Sequence, residues 1–477
     1  MPATAGGSVS GGVQRFLSRP DLLAPEVVID TPAQPGLAGV VVTESHLGSA
    51  QSGALIVDQT GRIVWFNPVA SDPSSPLRAF NVSVQQYRGQ PVLCWFEGTV
   101  AGRYGVGYGQ GHYQIVDTNY EQVAQVSGHQ GLPGDLHEFF LTPEGTAIFT
   151  CYGQSTGRIR IGSSMRTVPY YYGVVQEVDV ATGKLRWFWR TDRHVPLSYS
   201  YARPTLPKPG YVWDYFHING VCLDPRDGNV IVSSRNTSTV YKVNRRTGQL
   251  MWRLGGKHSD FHMGPGTRFN YQHDANLHPG GVMTVFDNGG GPPRFAAHSR
   301  ALVLSVDEKR RRVRLVHAFH HQPPVYSDAL GSVQPLGAGR WFVGWGRGAA
   351  FSAYSNSGEV LFDGHLDPAA SSYRAFLQPW TGTPIAPPDI AVSRSGTAAT
   401  VYASWNGSSE VAQWMVLGGA SPSSLSPLGI APIAGFETAV NVASAPSHLA
   451  AAACTASGQV LATSAAVAGP VAPSRAR

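Results

Sequence analysis

Charge is scarce in this chain. Asp, Glu, Lys and Arg make up 14% of its 477 residues, against about a quarter in ordinary globular proteins. The 36 basic and 30 acidic side chains leave a net charge of +6. That excess favours anionic ligands but is no nucleic-acid footprint. Cysteine is rarer still: Cys94, Cys151, Cys222 and Cys454 form no CxxC pair, which excludes the usual structural zinc spacing. The first three sit in apolar strand-like runs (VLCWF, IFTCYG, NGVCLD) and read as buried free thiols. No hydrophobic run reaches the length of a membrane span. The opening MPATAGGSVSGGVQRFLSRPDLLAPEV holds no apolar core of signal-peptide length. No long stretch repeats its apolar residues every 3.6 positions, which argues against helical and α/β folds.

Turn formers and aromatics are plentiful instead: 55 Gly, 35 Pro, 11 Trp, 19 Tyr and 19 Phe. They point to an all-β chain of short strands. An internal repeat organises them. Its unit is an alternating strand, a D-x-x-T-G-like turn, and a second strand ending near Trp or Phe. It occurs at 54–66, 113–126, 173–189, 238–256, 301–316 and 353–362, with a charged turn, Lys309 to Arg312, in the fifth. That basic run reads as a solvated hairpin tip. A second hairpin precedes several of these, at 135–153, 214–236, 271–289 and 331–346. Two hairpins per unit make a four-stranded blade, and the expectation is a six-bladed β-propeller. After the Pro-rich link TGTPIAPPD, alternating strands with Trp405 and Trp414 read as an immunoglobulin- or fibronectin-like β-sandwich. The expected divisions are a loose N-terminal segment over 1–30, the propeller over 31–380, the sandwich over 381–465 and a disordered tail over 466–477.

His137, His217, His273 and Gln334 align at the start of each unit's first strand. In a propeller those positions converge on one axis, so residues far apart in sequence can share a site. Neutral imidazole is a nucleophile and a base near pH 7. Asn219, two residues after His217, is expected on the same strand face. Arg235 is a candidate cationic clamp for an anion. Three converging histidines also fit a metal-dependent hydrolase, but added carboxylates and short local spacing are missing.

Several strings resemble the arylsulfotransferase family. They are DLHEFFLTPEGTA (135–147), FHING (216–220), SSRNTSTVYKVNRRTGQLMWRLGGKHSDF (233–261), FNYQHDAN (269–276), TVFDNG (284–289), SRALVL (299–304) and GSVQPLGAGRWFVGWG (331–346). The resemblance implies a six-bladed propeller that moves a sulfuryl group from a phenolic sulfate ester to a phenol. It implies no nucleotide donor, no cofactor, and a channel histidine as transient acceptor. It also implies an extracytoplasmic setting, which the visible N-terminus does not signal. Neither nucleic acid nor membrane insertion is expected, and the oligomeric state is left open. On the resemblance, Arg300 is the sulfate-binding arginine; Asn276 is expected to hold the sulfuryl oxygens with it. His273, His217 and His137 are the nucleophile and acid/base candidates. The family's nucleophilic histidine aligns with Gln334, which cannot form a sulfo-histidine. That leaves three readings: another histidine as nucleophile, direct transfer, or a propeller that only binds. His317, His320 and His321 read as solvent-facing.

Overall fold

The computed structural model describes residues 3–468 except 7, 11, 47, 49, 71–75, 103–106, 205–209 and 292–293. The chain is all-β: beyond strands, the described residues form only three-residue 3-10 turns. No described helix is long and apolar enough to cross a membrane.

Strands follow one another as antiparallel meanders. The first sheet is Val40–Ser45, Gly53–Val57 and Ile63–Pro68, with Phe376–Gln378 on its edge from far along the chain. The second is Arg78–Tyr87, Gln90–Ala101, Tyr108–Val116 and Gln122–Ser127. The third is Gly134–Leu141, Thr146–Ile161, Ser164–Asp179 and Leu185–Arg190, touching the second through a Gly111–Gly134 pairing. The fourth is Ile218–Leu223, Val230–Ser234, Thr239–Val243 and Leu250–Gly255. The fifth is His273–His278, Val282–Asp287, Arg300–Asp307 and Arg312–Phe319, with His262–Met263 on its outer edge. The sixth is Ser332–Gly337, Arg340–Gly344, Ala350–Ser355 and Val360–Leu366, extended by Val27–Thr31.

The repeated turn has a local cause. Asp58 Oδ1 accepts the Thr60 amide at 2.9 Å, and Asp179 Oδ1 accepts the Thr182 amide at 2.9 Å. Each turn then passes through a glycine with positive φ, Gly61 at 87° and Gly183 at 67°, where a Cβ would be strained. The basic tip from Lys309 to Arg312 is exposed as expected. The four cysteines are free thiols: Cys94 and Cys151 are buried as expected, Cys454 is also buried, and Cys222 is half-buried.

Between sheets, apolar faces pack into clusters such as Phe96, Tyr113, Phe139 and Phe149. Glutamines clasp neighbouring sheets through backbone groups. Gln85 accepts the Leu141 amide at 2.7 Å, and Gln378 accepts the Val84 amide at 2.8 Å.

The C-terminal region holds two further sheets around a core with Trp414 and Val440. One contains Asp389–Ser395, Ala398–Ser404 and Glu437–Val442, and the other Gln413–Gly419, Ser426–Pro432 and His448–Cys454. Asn406 ties this region to the first sheet through both the amide and carbonyl of Phe66, each at 2.9 Å.

The N-terminal segment is not loose where it is described. Ala3–Ala5 adds a strand beside Glu437–Val442, and Ser8–Ser10, Val13–Arg15 and Leu23–Pro25 form their own sheet. Buried Phe16 at 4.4 Å from Phe436 is the apolar anchor. Of the expected tail, 469–477 lie outside the described residues, while Val467–Ala468 pairs with the strand His448–Cys454.

His321 is not solvent-facing. Its ring lies 5.4 Å from Trp345, its Nδ1 donates to the Pro323 carbonyl at 2.8 Å, and Nε2 is 3.4 Å from Asp363. His317 is half-buried against Phe319 and Trp341, and His320 is exposed.

Candidate functional site

The edge strands of sheets two to five begin around one cavity of about 320 Å³. His137, His217 and His273 all line it, each at most 2% exposed. The His137 ring centroid is 4.9 Å from His217 and 6.5 Å from His273. Tyr373, from the chain just before the closing strand, packs 5.9 Å from His137 and 6.4 Å from His273. Its hydroxyl donates to the His137 carbonyl at 3.0 Å.

Each histidine is held by its Nδ1. His137 donates to Asp135 at 2.8 Å, and His217 to Asp214 at 2.5 Å. His273 Nδ1 meets Asn288 Oδ1 at 2.7 Å. The Asn288 amide donates to the carbonyls of Ser327 and Leu330 at 2.8 and 2.9 Å. That fixes its oxygen toward His273, so His273 Nδ1 carries the proton and Nε2 keeps its lone pair. In all three rings the Nε2 edge is the one left for the cavity.

The environments then differ. Burial, helped by Arg235 and His137, holds His217 well below the usual histidine range. Burial likewise pushes the Asp214 carboxyl up to about 6. His273 is also held well below its usual range by burial, against the opposing bond to Asn288. Asp135, which accepts from His137, Thr150 and the Gly109 amide, stays below the usual carboxylate range despite its burial.

Beneath the histidines lies a buried ion network. Arg374 makes two bonds to Glu138, each 2.9 Å, reaches Asn81 at 3.2 Å and sits 3.5 Å from Asp274. Asp274 also accepts the Val333 amide at 2.7 Å, tying sheet five to sheet six. Glu44 accepts the backbone amides of Tyr373, Arg374 and Val82.

Arg235 lines the cavity, 3.7 Å from Asp214 and over the Tyr271 ring. The other expected clamps lie elsewhere. Arg300 sits on the third strand of its sheet, two strands from His273, and is engaged by Asp287 at 2.9 Å and the Arg268 carbonyl. Asn219 does not share the cavity face of His217. A register shift between Ile218 and Gly220 breaks the alternation, and Asn219 donates to the Gln272 carbonyl at 2.6 Å. A second shift between His273 and Asn276 turns Asn276 onto Asp274 at 2.9 Å. His217 (φ 52°) and Asp274 (φ 48°) lie in the left-handed region at these bulges.

Gln334 is not the counterpart of the histidines. It clasps Leu377, accepting its amide at 2.9 Å and donating to its carbonyl at 3.0 Å. The segment leading into sheet six presents Ala329 and Leu330 to the cavity instead. Gln85 and Gln378 play the same clasping part, so Gln334 belongs with the clasping glutamines and not with the histidines.

Residues 83–366 match the sequence profile described as Arylsulfotransferase (ASST). The chain belongs to the arylsulfotransferase family. No curated protein matches the sequence. Among solved structures, this arylsulfotransferase-family chain is similar to a Bacteroides caccae protein of unknown function. Identity there is 12% and the TM-score 0.42, covering 71% of this chain and 98% of that one. It is also similar to the periplasmic gluconolactonase PpgL of Pseudomonas aeruginosa (13% identity, TM-score 0.37, 90% and 96% covered). A third is the β-propeller domain of Cps50 (Swd1) from Myceliophteria thermophila (10%, 0.33, 68% and 93%).

Several site residues escaped the sequence reading: Asp135, Asp214, Asn288, Tyr373 and Arg374, with His46, Arg78 and Arg347 on the cavity wall. Asp135 and Asp214 precede their histidines by two and three positions, a legible signal. Among the described residues, no group of three or more His, Cys, Asp or Glu is placed to hold a metal ion.

Proposed function

We propose that the protein transfers a sulfuryl group from an aryl sulfate ester to a phenol, without a nucleotide donor, in the cavity of His137, His217 and His273. In this reading the six meanders are the blades of a propeller closed by Phe376–Gln378, spanning about 31–380. The two C-terminal sheets over 381–465 form the immunoglobulin-like sandwich.

The observation that carries the proposal is the cluster of three imidazoles with Nε2 edges free. They are joined by Arg235, in a cavity whose described lining contains no carboxylate. The backing groups divide the labour. His273, backed by a neutral amide, is the nucleophile: burial outweighs the Asn288 bond and holds the ring below the usual histidine range, so its Nε2 lone pair is free to attack. His217 and His137, backed by carboxylates, are the acid/base pairs. His273 Nε2 attacks sulfur and the bond from sulfur to the aryl oxygen breaks. The leaving phenolate takes a proton released from Nε2 of the Asp135–His137 pair, whose carboxylate is held ionised. In the second half the acceptor phenol returns a proton to that pair, its oxygen attacks sulfur, and the bond from sulfur to His273 breaks. Arg235 neutralises charge on the sulfuryl oxygens.

The alternative of a propeller that only binds rested on Gln334 at the nucleophile position. With Gln334 outside the cavity, that support falls to Leu330, which cannot be a nucleophile either but leaves His273 unopposed. The deciding experiment incubates the full chain with an aryl sulfate and a phenol, without nucleotide. Sulfated phenol supports transfer. Free sulfate with chelator sensitivity favours a metal-dependent hydrolase. No product, with ligand-induced thermal stabilisation, favours binding alone.

A further inference from the structure

The cavity has a second cationic end that the transfer chemistry does not use. His46, Arg78 and Arg347 line it there, beside Phe80 and Ser371. The two ends are separated by aromatic rings. His46 lies 4.5 Å from Phe80, Phe80 lies 6.2 Å from Tyr373, and Tyr373 lies 5.9 Å from His137. Those steps set an upper limit on the separation of the two ends that exceeds the length of one arene carrying an anion at each end.

The charges at this end are poorly balanced. Arg347 is 3.0 Å from Asp328 and largely exposed. Arg78 makes no ion pair within 4.0 Å of a carboxylate among the described residues. His46 is 5% exposed, and its Nδ1 is buried with no hydrogen-bond partner among the described residues. Burial, then Arg78 and Arg347, push its imidazole down to about 3, so it is a neutral dipole between two guanidiniums. A buried orphan polar atom beside Arg78, which has no carboxylate partner among the described residues, and Arg347, which has only the exposed Asp328, is a site arranged for an anion.

We propose that His46, Arg78 and Arg347 form a second anion subsite that holds an acidic group, such as a carboxylate, on the far side of the substrate's aromatic ring from its sulfate. This deepens the sulfuryl-transfer reading and rests on it for orientation. The sulfate ester lies at the three histidines and Arg235, the ring lies along Phe80 and Leu330, and the carboxylate meets Arg78. The preferred donors are then aryl sulfates with a para acid, and simple phenyl sulfates fill only half the cavity.

The test compares two donors of matched shape, the sulfate ester of 4-hydroxybenzoate and that of its methyl ester, with one phenol acceptor. The expected wild-type ratio of kcat/KM is about tenfold in favour of the carboxylate, ~1.4 kcal/mol. In Arg78→Gln that ratio falls toward one, whatever happens to either rate alone. Equal use of both donors by wild type, or a preference that survives in Arg78→Gln and in Arg347→Gln, overturns the subsite. If neither donor is turned over, the transfer reading has failed and binding decides the subsite separately. Calorimetry with 4-hydroxybenzoate against its methyl ester should then still show tighter acid binding that Arg78→Gln removes. Equal affinities would overturn it. Circular dichroism and thermal unfolding check that the variant is folded; if Arg78→Gln is not, Arg78→Met replaces it and is read by the same ratio.

Discussion

Replacing Arg374 by Met tests how the floor of the site is held. Arg374 and Glu138 are nearly fully buried, with side chains 4% and 9% exposed, and joined by two bonds of 2.9 Å. Burial opposes the guanidinium charge, but Glu138 and Asp274 more than restore it and hold Arg374 well above its usual value. Met fills much of the same volume but leaves two carboxylates in a dry interior. Breaking such a pair from one side costs about 3–5 kcal/mol. Glu138→Gln in the Arg374→Met background removes one stranded charge, so the double variant should recover about 1–3 kcal/mol. Asp274 keeps the recovery partial. Urea unfolding followed by tryptophan emission reads all four members of the cycle. The reasoning is refuted if Arg374→Met lies within about 1 kcal/mol of wild type, or if the two substitutions simply add.

Three further outcomes are expected. His273→Ala should abolish phenol sulfation in a stopped assay, while the protein remains folded; full activity would remove His273 from the mechanism. Asn288→Asp keeps an acceptor on His273 Nδ1 but makes it charged, so His273 should hold a proton to higher pH. The acid limb of the pH–rate profile should therefore move to higher pH, which a merely structural change would not do. Glu44→Gln should alter stability with pH. Burial pushes the Glu44 carboxyl from 4.5 up to about 7, so the stability it contributes is present below 4.5 and lost as pH rises through 7. Wild type should lose ground to Glu44→Gln across that window, by at most about 1.4 kcal/mol per pH unit, in urea titrations at pH 5 and 8.

The hairpins were legible because alternation and the D-x-x-T-G turn are local: strand, Asp-capped turn and positive-φ glycine coincide at 58–61 and 179–183. The meeting of His137, His217 and His273 was legible because a repeat places like positions together. Alternation failed where a bulge inserts a residue, which is why Asn219 and Asn276 turn away from the cavity. The frame slipped at sheet six, where Gln334 mimics the start of a unit but performs the clasp of Gln85. Arg374 and Tyr373 were invisible because they lie after the last repeat, on the stretch that closes onto the first sheet. Arg300 shows the limit of motif transfer, since its neighbour Asp287 is buried while its own strand lies two removed from the cavity. The N-terminal strands were missed because Gly- and Ser-rich sequence carries no period until Phe16 finds Phe436.

The most direct measurement is the intact mass of the protein quenched after exposure to aryl sulfate alone, followed by peptide mapping under conditions that preserve sulfo-imidazole. One added sulfo group on the peptide carrying His273, discharged by phenol, is expected. Transfer that proceeds with the protein unmodified, or a sulfo group on a residue outside the cavity, would contradict it.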